Sequence, residues 1–569
     1  MRQMRLRIRC CLIVILTILS IIMFVSFYTI LSQTHEIEQK SNIFKKLPDK
    51  RNLNHHHQQQ QQQQHIPFWQ ALEAQNIYDI NSMPRNYTVE NQPNINDKII
   101  ENLFQLVNNH KLDIITDKEM NIDEFDQTFI DTIITKKKRK FNQKQDNAGD
   151  NLNTKRHKND EKLSMATEKM ISKKYNRELR KYVINTLWTY KRKYQDMKEI
   201  NLADMLYEKI EQNEPEKLNT IWFEYLKTVT NLHVYNTDSK ILRRILYRLL
   251  NNEILQASEL TQGTQIKLIL ELGDGIEGLL KPYRVPRNYQ TLPDHYYFSD
   301  IERHHAEIAS FHLDRVLGFN RVPPIIGRIL NITSDLLEHA VPDLAKTFFI
   351  SPANNTCFRG RCSYYCDTGH AVCGRPKDFL EASLQILLPR PPVVEWHKIT
   401  HPYRRSYSAT KYAKWESNEN YCYDKVLNDD YYHNRLLLDM TDLAAFDFLI
   451  GNMDRHHMMR ISSFGPNSAL IHLDNGRSFG RYDYDDLTIL TPIRQCCFFR
   501  YSTFQRFQIL YKQRLSVLLN RSLKTERLKL ILINEHLIAL DRRLNILLHL
   551  INDCVKQHSV AGVIVHDGI

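Results

Sequence analysis

Six charged residues lie on otherwise apolar stretches of the chain and are of the types that phosphoryl transfer uses. They are Lys267, Lys281, Glu302, Glu307, Asp454 and Asp474. A lysine can hold phosphates, and carboxylates can hold a divalent metal ion. One aspartate can then orient or deprotonate an acceptor hydroxyl. The set therefore suggests metal-assisted phosphoryl transfer.

Each of these residues also has a simpler interpretation when it is taken alone. Lys281 is compatible with an exposed lysine at the end of a strand, and Asp474-Asn475-Gly476 is a strong hairpin-turn signal. Glu302 and Glu307 lie about 140° apart on an ideal helix, which predicts one functional carboxylate and one surface charge.

The polar run from 452 to 457 (NMDRHH) is harder to explain as structure alone. Its histidines His456 and His457 are alternative metal ligands, although adjacent side chains point in different directions. The separation of Asp454 from Asp474 matches a kinase catalytic loop followed by a metal-binding turn. Neither H-R-D nor D-F-G occurs there.

The lysines are predicted to lie on a β-hairpin. Apolar residues at 266, 268 and 270 alternate along 265–281, which indicates a strand. The segment Gly273–Gly278 matches G-x-G-x-x-G, but a nucleotide-binding fingerprint requires a following helix. The short apolar run ended by Pro282 favours a hairpin turn instead.

The remaining pattern predicts an α+β fold with a strand-containing first half and a mostly helical second half. Helices are expected within 175–258, over 300–318 with Asp300 as a cap, over 439–450 ended by Gly451, and over 503–556. A strand, turn and strand are expected over 469–480.

The start of the chain predicts a membrane anchor. Residues 1–9 carry four arginines and no acid, and 10–32 are mainly apolar without charge. About 20 apolar residues span a bilayer, and this stretch is longer than the core of a cleaved signal. We therefore expect a cytoplasmic tail, a transmembrane signal anchor and a lumenal remainder, with a cleaved signal as the alternative.

Residues 33–165 read as a low-complexity, disordered stem, since their glutamine run and polar composition leave little apolar surface to bury. Short apolar patches such as 99–107 are expected to form transient helices.

The chain has 569 residues and a net charge of +12. Part of this charge lies in the tail, and the rest is scattered over the stem and the lumenal surface, so it does not predict a nucleic-acid groove.

Eight cysteines follow the stem: Cys357, Cys362, Cys366, Cys373, Cys422, Cys496, Cys497 and Cys554. An even number in an oxidising compartment favours disulfides over zinc. Four N-x-S/T sequences are candidate glycosylation sites in a lumenal chain: Asn86, Asn331, Asn354 and Asn520.

Several long motifs resemble the secretory-pathway kinase family that contains the Golgi casein kinase, the "family with sequence similarity 20". They are FSDIERHHAEIASFHLDRVLGFNRVPP, FFISPANNTCFRGRCSYYCDTGHAVCG, FDFLIGNMDRHH and IHLDNGRSFG. The resemblance is strongest over 264–554. It implies that 166–569 is an atypical, disulfide-bonded, two-lobed protein-kinase-like domain.

The resemblance also implies ATP and Mn²⁺ as cofactors, with Mg²⁺ as an alternative metal, and assigns roles to residues. Asp454 would be the catalytic base, Asp474 and Glu302 would hold metal, and Lys281 would contact phosphate. Glu307 would lie beside Glu302 and pair with a lysine. The nucleotide site would also include Gln265, Lys267, Gln385, Ile386, Leu387 and Leu388.

The family's disulfide pattern implies the pairs Cys357–Cys373, Cys362–Cys366, Cys422–Cys496 and Cys497–Cys554. One departure concerns the fifth position after the catalytic aspartate. There the family usually carries a nucleotide-holding glutamate, and this chain has Met459.

The resemblance implies three alternative activities for this chain. The first is phosphorylation of Ser/Thr in secreted acidic proteins, in S-x-E contexts, and the second is phosphorylation of xylose in proteoglycans. The third is a pseudokinase that activates a relative. The motifs are closer to the protein-kinase branch. We expect a type II Golgi membrane protein with a lumenal catalytic domain, which is released if the stem is cleaved. The expected partners are acidic substrates and a second copy or a family pseudokinase.

Overall fold

The computed structural model describes residues 97–116, 172–187 and 199–566, except 262, 293–299, 377 and 409. All of them lie within one unit, Gln75–Ile569. The predicted tail (1–9), the anchor (10–32) and most of the stem lie outside the described residues. Within the described part of the chain, the structure has no helix that is both long and apolar enough to span a bilayer.

The strands form one larger sheet and several small ones. They are β1 Ile254–Glu259, β2 Leu268–Leu272, β3 Ile276–Pro282, β4 Ile325–Asn331, β5 Phe348–Ile350, β6 Thr356–Phe358, β7 Val372–Cys373, β8 Phe379–Ile386, β9 Trp396–Thr400, β10 His457–Ile461, β11 Phe499–Arg500 and β12 Ile564–Val565. The larger sheet has the antiparallel order β1-β2-β3-β8-β4. Buried residues alternate in β2, as a strand with one face on a core requires.

The helices lie before the sheet and, mostly, after it. They are α1 Asp97–Thr116, α2 172–187, α3 Leu202–Asn213, α4 Ile221–Leu226, α5 Lys240–Asn251, α6 His304–Leu317, α7 Pro342–Ala345, α8 Lys414–Ser417, α9 Arg435–Ile450, α10 Thr491–Cys496, α11 Tyr501–Gln513, α12 Leu515–Leu523, α13 Asn534–His558 and α14 Val560–Val563. The structure thus confirms a mixed fold of helices and strands, but the described helices lie both before residue 346 and after residue 413, so the expected concentration of helices in the second half is not found. The prediction of helix up to 258 is wrong at its end, where β1 begins.

The predicted hairpin is confirmed. β2 and β3 pair antiparallel around a short turn, Gly273–Gly275, in which Asp274 and Gly275 have φ of 66° and 71°. Glycine tolerates this left-handed region, and aspartate enters it at modest cost. A strand rather than a helix follows, so the G-x-G-x-x-G match is a turn.

Helix α6 begins later than predicted. Arg303 is its N-cap residue, and Asp300 lies outside the helix, where its carboxylate accepts hydrogen bonds from Arg303 Nη1 (2.7 Å) and Ile301 N (2.9 Å). Asp300 is therefore not the cap. The helix packs on β4 and β8 and ends at Gly318, whose φ is 76°. Gly451 ends α9 in the same way, as predicted.

Every residue of α9 is buried, so its few polar side chains need partners inside the protein. Asp439 is fully buried and accepts from Arg435 Nε (2.9 Å), Arg500 Nη2 (2.5 Å) and Arg321 Nη2 (3.1 Å). It also accepts from the backbone N–H of Leu470 (3.2 Å). This acid joins α9, β11, the segment before β4 and the segment that leads to Asp474. We call these five residues the Asp439 network.

The predicted strand–turn–strand over 469–480 is wrong. This segment is an extended loop with a single β-bridge, between Ile471 and Met459. Its apolar residues are buried by contacts with the rest of the domain, so their alternation does not require a second strand beside them. The Asp-Asn-Gly signal marks a loop in which Asp474 has a φ of 59°.

Helix α1 lies inside the segment predicted as a stem. Its residues Ile100, Leu103, Phe104 and Val107 are almost completely buried, and Phe104 packs edge-on against Phe504 and Tyr511 of α11. The helix also packs on α13 and α14. For these residues, the prediction of a segment that buries little apolar surface is wrong.

All four disulfides are present with the pairing that the resemblance implies: Cys357–Cys373, Cys362–Cys366, Cys422–Cys496 and Cys497–Cys554. The last two lie among the helices of the second half, where Cys496 and Cys497 are adjacent and connect to two different elements. The zinc alternative for the first four cysteines is thereby excluded.

Candidate functional site

Lys281 is the centre of a charged cluster whose members are buried except for Asp474, the side chain of which is 54% exposed. It lies in β3, and its Nζ is 3.0 Å from Glu302 Oε2 and 2.9 Å from Asp474 Oδ1. It also donates to Glu307 Oε1. The exposed-lysine interpretation is wrong, since Lys281 is 5% exposed.

Both glutamates belong to this cluster, although a continuous helix would separate them. Glu302 precedes α6 in extended backbone, and Glu307 lies in the first turn of the helix. The helical angle between them therefore does not apply. Both are buried, so neither is the surface charge that the sequence pattern predicted.

Lys267 and Gln265 lie at the same site, on the chain leading into β2. Lys267 Nζ is 3.5 Å from Glu302 Oε1 and 3.7 Å from Asp474 Oδ1. The Gln265 amide donates to Asp300 O and accepts from Glu302 N, each at 2.9 Å. Gln265 thus fixes the backbone that carries Glu302.

The opposite charges of the cluster support one another. Burial opposes the charge on Lys281, but Asp474, Glu302 and Glu307 outweigh it and hold the Lys281 pKa well above its usual value. Lys267 and Lys281 lower the pKa of Asp474 well below its usual range. Burial disfavours the charged form of Glu302, yet the same two lysines lower its pKa. At neutral pH Lys281, Asp474 and Glu302 are therefore ionised.

The cluster can hold a divalent metal ion. Glu302, Glu307 and Asp474 can each offer one carboxylate oxygen, and these oxygens lie within 4.8 Å of one another. Oxygen ligands of this type suit Mg²⁺ and Mn²⁺. The predicted ligands Glu302 and Asp474 are thus brought together. Glu307 both pairs with a lysine, as expected, and joins the acidic group.

Asp454 lies in the loop after α9, apart from the acidic cluster. Its backbone N–H donates to Asn452 Oδ1 (3.0 Å), and its Oδ2 accepts from Arg477 Nη1. Its Oδ1 is buried without a hydrogen-bond partner. Asp454 and Arg477 line a cavity of about 360 Å³, which the residues of the acidic cluster do not line.

Arg455 connects the loops that carry Asp454 and Asp474. It donates to Asp447 Oδ1 and Oδ2 (2.8 and 2.9 Å), to Asn475 Oδ1 (2.7 Å) and to the carbonyl of Leu473. No role was predicted for Arg455, Asp447 or Arg477. These residues lie close in sequence to the predicted aspartates, and a buried acid requires a nearby partner, so this proximity could have indicated them.

The histidine alternative for metal binding has no support among the described residues. The one group there with metal-ligand spacing is Glu302, Glu307 and Asp474. The His456 ring interacts with the carbonyl of Asp454 through Nδ1 (2.8 Å), and the rings of His456 and His457 pack edge to face. His456 Nδ1 also lies 3.4 Å from Asp454 Oδ1, so the pair is part of the packing of the loop that carries Asp454.

The predicted nucleotide-contacting residues 385–388 lie at the end of β8 and just beyond it. Gln385 pairs with Leu279 of β3, and the backbone N–H of Leu387 donates to Glu277 O (2.8 Å). The side chains of Ile386 and Leu388 are buried. The segment leads from the sheet towards β9, and its contact with a nucleotide stays a prediction.

The glycosylation candidates differ in exposure. Asn354 is exposed, and Asn331 and Asn520 are half-buried. Asn331 Oδ1 already accepts from the backbone N–H groups of Thr333 and Ser334. Asn86 lies outside the described residues. Glycosylation of these residues stays a prediction.

Comparison with known families gives one match to a family model. The model described as "Fam20C: Golgi casein kinase, C-terminal, Fam20" matches residues 220–563. This range contains Lys281, both glutamates, both aspartates and all paired cysteines.

Curated proteins and solved structures agree with this match. The chain is 42% identical over 349 residues to "Extracellular serine/threonine protein kinase FAM20C" of Homo sapiens, covering 61% of this chain and 60% of that protein. It is 43% identical over 373 residues to "Extracellular serine/threonine protein kinase CeFam20" of Caenorhabditis elegans, covering 65% and 72%. A crystal structure of the Golgi casein kinase with Mn/ADP bound matches at a TM-score of 0.61 and 41% identity, covering 66% of this chain and 88% of that one.

Relatives with other names also match. The chain is 38% identical to "Pseudokinase FAM20A" of Homo sapiens, covering 61% of this chain and 68% of that protein. It is 35% identical to "Glycosaminoglycan xylosylkinase" of the same organism, covering 62% and 84%. The matching proteins therefore differ in the activity that their names state.

Proposed function

The chain belongs to the Golgi casein kinase (Fam20) family, and on this premise we propose that it transfers the γ-phosphoryl group of ATP to Ser or Thr of secreted proteins, using Mn²⁺. The observation that carries this proposal is the placement of Lys281 between Glu302 and Asp474, with Asp454 at a separate cavity. Phosphoryl transfer needs a phosphate-and-metal site together with a residue that orients the acceptor hydroxyl.

Each group has a defined part in this proposal. Glu302, Glu307 and Asp474 would hold Mn²⁺, with Mg²⁺ as an alternative, and the ion would neutralise phosphate charge when bound. Lys281 and Lys267 supply positive charge beside these acids for the phosphates. Asp454 accepts the proton of the acceptor hydroxyl. A structure of a relative with Mn/ADP bound supports the choice of ligand.

Protein is the favoured acceptor. The chain is more similar to the relatives named as serine/threonine kinases (42% and 43%) than to the human xylosylkinase (35%). We further propose S-x-E sequences in acidic secreted proteins as substrates. The xylose-kinase alternative is retained because that branch matches as well.

A pseudokinase that activates a relative is the second alternative. The family resemblance associates loss of the glutamate equivalent to Glu302 with the pseudokinase member, and here Glu302 is present and contacts Lys281. This contact favours an active enzyme.

We propose a secretory-pathway location, with a type II Golgi anchor and release if the stem is cut. The names of the extracellular relatives and the four disulfides support a secretory location. Pairing with a second copy or a family pseudokinase remains a proposal.

A direct acceptor comparison tests the function. Purified lumenal protein with Mn²⁺ and ATP is expected to phosphorylate an acidic Ser-x-Glu peptide and to lose this activity when the metal is chelated. A matched Ala-x-Glu peptide is the control. Transfer to a xylose-containing tetrasaccharide but not to peptide would select the xylose kinase. Absence of any transfer, together with activation of a relative, would select the pseudokinase.

Met459 gives a prediction about nucleotide affinity. It lies in β10, opposite Lys398 of β9, and its carbonyl accepts from Ile471 N (2.8 Å), three residues before Asp474. We expect Met459→Glu to tighten Mn–ADP binding by roughly 3- to 10-fold, because it adds a hard oxygen ligand near the metal-binding loop. Titration calorimetry measures the change. Met459→Gln has the same length without the charge and is expected to leave the affinity unchanged; equal behaviour of both variants would contradict the prediction.

A further inference from the structure

Arg477 is the direct partner of the proposed catalytic base. It follows Asp474-Asn475-Gly476, and its Nη1 donates to Asp454 Oδ2. Both side chains are about 10% exposed, so little water competes with this ion pair. Charge-assisted pairs of this kind fix geometry as well as charge.

The same guanidinium reaches a second part of the site. Arg477 Nη2 donates to Thr264 Oγ1 (2.8 Å), in the segment between β1 and β2 that also carries Gln265 and Lys267. Burial disfavours the charge of Arg477, but Asp454, Glu302 and Asp474 outweigh it and raise its pKa. Arg477 therefore lies between the acidic cluster and the base.

The two oxygens of Asp454 have different contacts. Oδ2 accepts from Arg477, whereas the buried Oδ1 has no hydrogen-bond partner and lies 3.4 Å from His456 Nδ1. A buried acceptor without a hydrogen bond is costly and often marks a functional position. Asp454 and Arg477 both line the cavity of about 360 Å³, so the ion pair stands beside a space that an acceptor can enter.

We propose that Arg477 is a positioning residue for phosphoryl transfer: by holding Oδ2 it fixes the carboxylate of Asp454 beside the cavity that admits the acceptor hydroxyl, and its contact with Thr264 makes this orientation depend on the segment that carries Lys267. This inference rests on the proposed function. In the reaction, the acceptor oxygen bonds to the γ-phosphorus, the bond from phosphorus to the ADP oxygen breaks, and the hydroxyl proton passes to the carboxylate of Asp454.

Kinetics of Arg477→Met test the proposal. We expect kcat for peptide phosphorylation to fall roughly 10- to 100-fold, the range of a mispositioned general base. The KM for ATP and the Kd for Mn–ADP should stay within about twofold, because Arg477 acts through Asp454 and not on the nucleotide. Arg477→Lys should recover part of kcat, since one ammonium can pair with Asp454 but cannot also bind Thr264 in the same way.

Two further variants complete the test. Thr264→Val removes only the second contact and should lower kcat by roughly threefold with the base still paired. Arg248→Met removes another arginine–aspartate pair, the one with Asp274, and should leave kcat unchanged. It is the matched control for loss of an arginine.

The outcomes separate this proposal from the proposed function. Absence of transfer by the unaltered protein would overturn the proposed function. An active parent with unchanged or raised kcat in Arg477→Met would overturn the positioning role alone. Parallel losses of kcat and Mn–ADP affinity would instead place Arg477 at the nucleotide. If Arg477→Met does not fold, full kcat in both Arg477→Lys and Thr264→Val would overturn the proposal.

Discussion

Asp454→Asn is expected to lower kcat for phosphoryl transfer by roughly 10²- to 10⁴-fold, the usual contribution of a general base. Asparagine keeps the shape of the side chain but cannot accept the proton of the acceptor hydroxyl. Because Asp454 does not belong to the Glu302–Glu307–Asp474 group, Mn–ADP binding should persist. Steady-state kinetics and calorimetry on the same preparation check both halves of this prediction.

The control for this variant is Asp553→Asn on α13, where an exposed aspartate pairs with Lys556. It should retain full activity. Wild-type kcat in Asp454→Asn would remove the catalytic assignment. Loss of nucleotide binding together with kcat would mean that the loop after α9 also shapes the nucleotide site.

Asp439→Asn is expected to lower the free energy of unfolding by about 3–5 kcal/mol, the cost of removing one partner from a buried ion pair. The Asp439 network holds three arginines around one fully buried acid. An amide oxygen can still accept a hydrogen bond, but it removes the counter-charge that Arg435 contacts and leaves Arg321 and Arg500 to share Asp442. Chemical denaturation, followed by tryptophan fluorescence with the disulfides intact, measures the change.

An exposed pair provides the comparison for this effect. Asp343→Asn breaks the surface contact with Lys346, in which both side chains are more than half exposed. Such pairs contribute about 0–1 kcal/mol. Equal effects of the two substitutions would show that the three arginines find other partners when Asp439 is lost.

The identity of the site residues was predictable, but their geometry was not. Sequence motifs pointed to Lys281, Glu302, Asp454 and Asp474. The structure brings Glu302 and Asp474 together around the ammonium group of Lys281. The angle between Glu302 and Glu307 was misjudged because the helix begins after Arg303. Helix starts depend on which backbone groups find partners, and here Gln265, remote in sequence, binds the preceding segment.

Local sequence patterns also gave a wrong prediction where contacts with residues distant in sequence determine the backbone conformation. Asp474-Asn475-Gly476 between apolar residues is typical of a hairpin, yet the segment is held by Asp439 through Leu470 and by Arg455 through Leu473. No pattern within 469–480 reveals those partners. The same reason explains why Arg455 and Arg477 received no role, since their importance lies in which acid each contacts.

Helix α1 has a consequence for how the chain can be shortened. The side chains of Ile100, Leu103, Phe104 and Val107 cover apolar surface on α11, α13 and α14. If a protease releases the domain, it must cut before Asp97 to leave this surface covered. A recombinant fragment that begins at 166 would expose aromatic surface at Phe504 and Tyr511, whereas one that begins shortly before Asp97 would keep it covered.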